Sequence, residues 1–81
     1  MIFTLYSEDT NRERDIKVNP EQKIGETISI LMDGGVLPHT RIDCVNLFSE
    51  RAGRYLDLEK TYQQEQIYQG DILHIETENK E

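Results

Sequence analysis

Two histidines and a single cysteine are the side chains of this sequence best suited to base, nucleophile or metal-ligand chemistry near neutral pH. His39, Asp43 and Cys44 lie close together, but common zinc sites need a second thiolate or a regularly spaced histidine pair. His74 falls in an alternating apolar segment without a nucleophile beside it. An enzyme site needs a nucleophile, a base and a pocket together. We therefore expect no catalytic residue, no metal site and no cofactor, and we interpret Cys44 as a semi-buried strand residue.

The glycine pair Gly34-Gly35 could in principle cradle a phosphate. Such a loop is followed by a helix and carries a lysine. Here Val36-Leu37-Pro38 follows instead. Glycine also tolerates the left-handed conformation found just after helix ends, so the pair predicts a helix stop.

Length and charge set the class of protein. The 81 residues fit one small domain, and 16 acidic against 9 basic residues give a net charge of −7. This balance disfavours binding to nucleic acid, including RNA, and to anionic lipid, because both require excess Lys and Arg. One cysteine cannot form an intramolecular disulfide, which suits a reducing compartment. No apolar run approaches the roughly 20 residues of a membrane span, and the first residues lack the basic region of a signal peptide. We expect a cytoplasmic protein without direct membrane insertion.

The elements that must position these side chains follow from hydrophobic periodicity. Residues 2–7 and 14–19 alternate with period two and predict a hairpin. Ile24, Ile28 and Leu31 predict a helix with one apolar face. Further strands are predicted near 43–49, at 54–56 and at 72–76, and Thr61 with Gln64 fits a capping box opening one helical turn.

This order predicts an α+β fold, in which a mixed sheet of four to five strands packs on one α-helix. The first and last strands would lie parallel and adjacent in the centre, which is a β-grasp arrangement. The domain would cover residues 1–76, with 77–81 as a polar tail.

Several segments resemble ubiquitin. Val18-Asn19-Pro20 followed by Ile24 resembles its second strand end and first helix residue, and Gly35-Val36-Leu37-Pro38 resembles the segment after its helix. Residues 56–75 align with ubiquitin without a gap. The aligned positions that match identically or conservatively are Leu56, Thr61, Ile67, Leu73, His74 and Ile75.

The departures from ubiquitin limit the function that the resemblance implies. The sequence ends in Glu78-Asn79-Lys80-Glu81 in place of a diglycine, so we expect neither a modifier nor a sulfur carrier. The alternative is a carrier or modifier that needs C-terminal processing. Ubiquitin's apolar patch is also altered: Glu76 and Asn46 stand at apolar positions, His74 is kept, and Arg54 replaces a lysine. Ordinary ubiquitin receptors should therefore not bind, because burying an unpaired Glu76 is costly.

A free-standing ubiquitin-like chain of this kind is similar to the bacterial YukD/EsaB family of type VII (WXG100) secretion systems. The segment Ile67-x-x-Gly70-Asp71-Ile72-Leu73-x-Ile75 carries this resemblance. It implies a non-enzymatic cytosolic accessory role. The implied partner is an FtsK/SpoIIIE-type secretion ATPase or an associated membrane component.

The alternation of side chains between the two faces of each strand predicts where a partner would bind. Ile2, Phe48 and Ile72 should face outward from the sheet and could contact a protein partner or a second copy of the chain. The full candidate protein-binding set is Ile2, Asn46, Phe48, Arg54, Ile72, His74 and Glu76. Tyr55 and Tyr68 are either interface anchors or partly buried core residues. The acidic residues are either a solvated surface or a field that steers a basic partner.

Overall fold

A computed structural model describes residues 1–78 and confirms the predicted α+β, ubiquitin-like fold. Its elements in chain order are β1 (Ile2–Ser7), β2 (Arg12–Lys17), α1 (Ile24–Asp33), a 3-10 helix (Ile42–Cys44), β3 (Val45–Ser49), β4 (Arg54–Tyr55) and β5 (Ile72–Thr77). Among these residues no helix is long and apolar enough to cross a membrane.

One mixed sheet holds all five strands in the order β2-β1-β5-β3-β4. β1 and β5 pair in parallel at its centre, and the other neighbours pair antiparallel. The prediction that the first and last strands lie side by side is thus confirmed. The long path between them carries α1 across one face of the sheet, as a parallel crossover requires.

The core lies between α1 and this covered face. Alternate residues of the strands supply it, because successive side chains of a strand point to opposite faces. The strand residues buried there are Phe3, Leu5, Val45, Leu47, Leu73 and Ile75. The helix contributes Ile24 and Ile28 as predicted, but Met32 is buried where the sequence indicated Leu31, which is only half-buried.

Gly25 has a packing reason that the sequence did not reveal. Its amide donates to the Leu58 carbonyl across 2.9 Å, so the helix backbone approaches the 56–71 segment closely. A Cβ at this position would lie 3.1 Å from the same carbonyl oxygen. The predicted stop at Gly34-Gly35 is also present, with Gly35 in the left-handed region at φ 77°.

Two nearly buried carboxylates fasten the 56–71 segment to the sheet. Asp71 accepts two hydrogen bonds from Arg51, at 2.8 and 3.1 Å. Glu65 accepts from the Arg54 guanidinium and from the Asp57 amide, both at 2.9 Å. These bonds fix the turns at both ends of β4 and at the start of β5.

The structure differs from the predicted elements mainly at their boundaries. β2 spans Arg12–Lys17, where residues 14–19 were predicted. Cys44 ends the 3-10 helix and is buried, whereas a semi-buried strand residue was expected. The Thr61–Gln64 capping box is present as predicted, with reciprocal bonds of 3.0 and 3.1 Å, and it opens a single turn in which the Glu65 amide donates to the Thr61 carbonyl at 3.1 Å. β5 includes Thr77, which the predicted boundary assigned to the tail. Residues 79–81 of that tail lie outside the described residues.

Candidate functional site

The uncovered face of the sheet, which we call the outer face, is the candidate site. Its residues alternate with the core residues along each strand and are joined by the observed strand register. They are Ile2, Thr4, Tyr6, Glu13, Asp15, Lys17, Asn46, Phe48, Tyr55, Ile72, His74 and Glu76. All the predicted protein-binding residues except Arg54 belong to this face.

Four rings cross the outer face in one row, which we call the aromatic row. Register places Tyr6 beside His74, His74 beside Phe48, and Phe48 beside Tyr55. The Tyr6 and His74 rings meet edge to face with centroids 5.3 Å apart, and the Phe48 and Tyr55 rings do so at 5.2 Å. Such pairs stabilise by about 0.5–1.5 kcal/mol beyond the area they bury. These ring contacts therefore stabilise the arrangement of the row.

His74 is clamped between two carboxylates that come from distant parts of the chain. Its Nδ1 lies 3.0 Å from Glu8 Oε1, and its Nε2 lies 2.9 Å from Glu50 Oε2. Glu8 follows β1 and Glu50 follows β3, so the two contacts span the middle of the sheet. Ionised carboxylates only accept hydrogen bonds, and a neutral imidazole has one N–H. Both contacts are satisfied together only when His74 is protonated and donates from both nitrogens.

The clamp therefore favours the charged form of His74. Hydrogen bonding to Glu50 is the largest influence and raises the pKa of His74, partial burial opposes it, and Glu8 adds to the rise. A histidine with both nitrogens occupied in this way is a poor general base. Through these two contacts His74 on β5 connects the residues that follow β1 and β3.

The three apolar residues predicted to face outward do so, in a diagonal line. Register pairs Ile72 with Thr4 on β1, and Phe48 with His74 on β5. Ile2 and Phe48 are thus diagonal neighbours of Ile72 on either side, within reach of large side chains. Ile2 and Ile72 are 40% and 38% exposed, while Phe48 is half-buried under Tyr55.

Polar groups on β3, β4 and β5 lie beside this apolar line. The Tyr55 hydroxyl donates to Glu76 Oε2 at 3.0 Å, and this hydrogen bond is the main reason why the pKa of Tyr55 is raised. Asn46 lies opposite Glu76 and donates to Glu78 Oε1 at 3.2 Å. The outer face thus combines an apolar line with fixed hydrogen-bonding groups, as interface centres and rims do.

Arg54, the seventh predicted residue, is not brought to this surface. It pairs with Ser49, which is fully buried on the covered side of the sheet, and opposed residues point to the same side. Its guanidinium bonds Glu65, whose carboxyl is 8% exposed. Burial alone would raise the pKa of Glu65, but the bonds from the Asp57 amide and from Arg54 outweigh it and lower that pKa.

The outer face carries an excess of negative charge. Glu13, Asp15 and Glu76 project from its strands, and Glu8 and Glu50 border it through His74. Lys17 and protonated His74 are the cations that the described strands place on the same face. The sequence offered Tyr55 as an interface anchor or a partly buried core residue, and it is 56% exposed. Tyr6, Glu8 and Glu50 were not singled out, because their contacts on this surface depend on cross-strand register.

Other features of residues 1–78 offer less chemistry. A groove of about 520 Å³ beside α1 is lined by apolar side chains, among them Ile30, Ile42 and Leu58, and by the charged side chains of Lys23, Glu26 and Glu59. His39 is exposed, with Asp33 4.0 Å away, and the Cys44 thiol is buried. The structure does not assemble His39, Asp43 and Cys44 into a group able to hold a metal ion.

Comparison with known proteins supports the fold. No family model matches the chain, and no curated protein matches it either. Among solved structures, it is similar to a de novo protein designed by Hydra on the basis of ubiquitin. The TM-score is 0.76 at 18% identity, over 100% of this chain and 92% of that chain. At this identity the likeness establishes a ubiquitin-like fold and carries no function with it.

Proposed function

We propose that this chain is a non-enzymatic protein-interaction module that docks a protein partner on its outer face. The observation that carries the proposal is the diagonal of Ile2, Ile72 and Phe48 across an otherwise polar sheet surface. Exposed apolar side chains grouped on one face indicate contact with another molecule. The clamped His74 and the aromatic row hold this surface in shape without a partner, which lowers the entropy lost on binding.

The finer proposal is an accessory role in a bacterial type VII secretion system. It is supported by the ubiquitin-like fold and by the resemblance of residues 67–75 to the YukD/EsaB family. In that role the module would bind an FtsK/SpoIIIE-type ATPase or an associated membrane component from the cytoplasm, and it would not conjugate to other proteins.

A pair of matched variants tests the docking proposal. Phe48→Asp places a charge in the middle of the outer face, and Ile30→Asp places the same charge on the exposed side of α1. Both variants should fold, because neither side chain belongs to the buried core. Proteins from the native host would be captured on the wild-type chain and on each variant, then quantified by mass spectrometry.

We expect a partner to be lost with Phe48→Asp and retained with Ile30→Asp. Recovery of WXG100 proteins or a large FtsK-like ATPase as that partner would support the secretion role. Equal recovery on all three chains, or loss only with Ile30→Asp, would show that the outer face is not the docking surface. Unfolding of Phe48→Asp in circular dichroism would show that Phe48 belongs to the core.

A further inference from the structure

The geometry points to a specific partner chemistry: we propose that the outer face receives an arginine-bearing segment of another protein, with a guanidinium seated against Tyr55 and Glu76. This inference rests on the proposed docking function and adds the kind of side chain that the docking surface selects. It stands on the charge, the exposed ring and the fixed carboxylate described below.

Charge complementarity sets the sign of the partner. Five carboxylates lie on or border the outer face, from Glu8, Glu13, Asp15, Glu50 and Glu76. Lys17 and His74 offset only part of this charge. A partner with acidic side chains would be repelled, whereas a basic segment would be attracted and oriented.

An exposed ring beside a fixed carboxylate favours arginine over lysine at this surface. Tyr55 is 56% exposed and meets Phe48 at an interplanar angle of 68°, so Phe48 does not cover both faces of the ring. The Tyr55 hydroxyl holds the Glu76 carboxylate at 3.0 Å. A planar guanidinium can stack on the ring and bind this carboxylate at once, whereas an ammonium acts as a point charge.

The same chain contains an internal example of this combination. The Arg51 guanidinium lies 4.9 Å from the centroid of the Tyr68 ring and binds both oxygens of Asp71. The Tyr68 amide donates to Asp71 Oδ2 at 2.9 Å, which fixes the carboxylate relative to the ring. In the outer-face pair, Tyr55 and Glu76 provide ring and carboxylate, and the arginine is the part that a partner would supply.

The test titrates the ¹⁵N-labelled full chain with capped hexaarginine, hexalysine and hexaglutamate peptides, following amide shifts by NMR. We expect hexaarginine to move signals of β3, β4 and β5 around Tyr55 and Glu76. It should bind roughly two- to fivefold more tightly than hexalysine, as one added cation–π contact at an exposed ring implies. Hexaglutamate should cause no change. Tyr55→Leu should remove the preference for arginine, while Tyr68→Leu, at the ring already occupied by Arg51, should keep it.

Three results would overturn the proposal. They are equal affinities for the two basic peptides, shifts confined to α1 or to β2, and an unchanged arginine preference in Tyr55→Leu. Concentration-dependent broadening of outer-face signals without peptide would instead identify a second copy of the chain as the occupant. After any of these results, the proposed docking function still holds if Phe48→Asp abolishes partner capture and Ile30→Asp does not. If the two variants capture the partner equally, both the docking function and the arginine proposal are wrong.

Discussion

The clamp on His74 predicts that the folded state loses stability as the pH rises above neutral. Hydrogen bonding to Glu50 is the main cause of the raised folded-state pKa of His74. Partial burial lowers this pKa, and the hydrogen bond to Glu8 raises it further. A raised pKa means that the folded state binds the proton more tightly than the unfolded state does. The stabilisation is therefore complete below the ordinary histidine value of about 6.5. It is lost as the pH rises through the folded-state pKa.

The contact geometry sets the size of this effect. The two nitrogen-to-oxygen distances are 3.0 and 2.9 Å, but Glu8 and Glu50 are 50% and 58% exposed. Ion pairs with partners this exposed contribute about 0.2–1 kcal/mol each. The clamp should therefore contribute about 1 kcal/mol in total, which corresponds to a change in Tm of about 4–8 °C for a domain of this size.

The assay compares thermal unfolding of the wild type and His74→Gln by circular dichroism at pH 6 and pH 9. The wild type should lose more Tm than the variant over this range, and the excess reports the clamp. In an NMR titration, Glu50→Gln should lower the pKa of His74, while Glu59→Gln, on the other side of the domain beside α1, should not. If the two proteins lose the same Tm, or if Glu50→Gln leaves the pKa of His74 where it was, the clamp does not exist in solution.

Two further predictions concern buried polar groups. Asp71→Asn should reduce the free energy of unfolding by about 2 kcal/mol, below the range for fully buried ion pairs because Arg51 is 48% exposed. The hydrogen bond from Arg51 is the main cause of the lowered pKa of Asp71; burial opposes it, and the Tyr68 amide adds to it. Because the pKa is lower in the folded state, this stabilisation is present above about pH 4 and is lost as the pH falls further. Urea unfolding at pH 7 and pH 2.5 measures both effects. Tyr62→Phe should increase the free energy of unfolding by up to about 1 kcal/mol, because the buried hydroxyl has no hydrogen-bond partner of good geometry among the described residues. The same burial raises the pKa of Tyr62 to about 12.

Each of these predictions has a control and a contrary outcome. Asp43→Asn removes an exposed partner of Arg41 and should change stability little, so an equal loss in both variants would show that Asp71 contributes no more than a surface pair. For Tyr62, the Thr27 hydroxyl lies close enough to oppose, in part, the rise of its pKa. A clear loss of stability in Tyr62→Phe would therefore mean that the two hydroxyls form a good hydrogen bond.

The elements of this fold were readable from the sequence where the pattern was long. Six alternating residues in β1 and the apolar spacing of α1 place Phe3 and Ile24 in the core without other information. β4 has only two residues, which is too short for alternation to show which side Arg54 faces. The resemblance to ubiquitin, in which Arg54 replaces a lysine of the apolar patch, put Arg54 in the predicted protein-binding set, although its side chain points to the covered side.

The candidate site was readable only in part, because its contacts are long-range. Parity along single strands placed Ile2, Phe48 and Ile72 outward. The clamp joins His74 to residues 66 and 24 positions away, and the register that aligns them is set by turn geometry at several places in the chain. Register of this kind leaves no periodic trace in a sequence, so the clamp and the aromatic row became visible only in three dimensions.

The two faces of the sheet are under different physical constraints. This difference indicates which face is free to carry residues that select a binding partner. The covered face must fill the space under α1, so the strand positions in the core carry apolar side chains of fitting volume. The outer face meets no such demand, since water solvates it in the free protein. Its aromatic row and its clamped histidine therefore lie outside the core that forms the β-grasp, and their contacts add to its stability. The exposure of Ile2 and Ile72 among these charges is the feature that the proposed docking of a protein partner would explain.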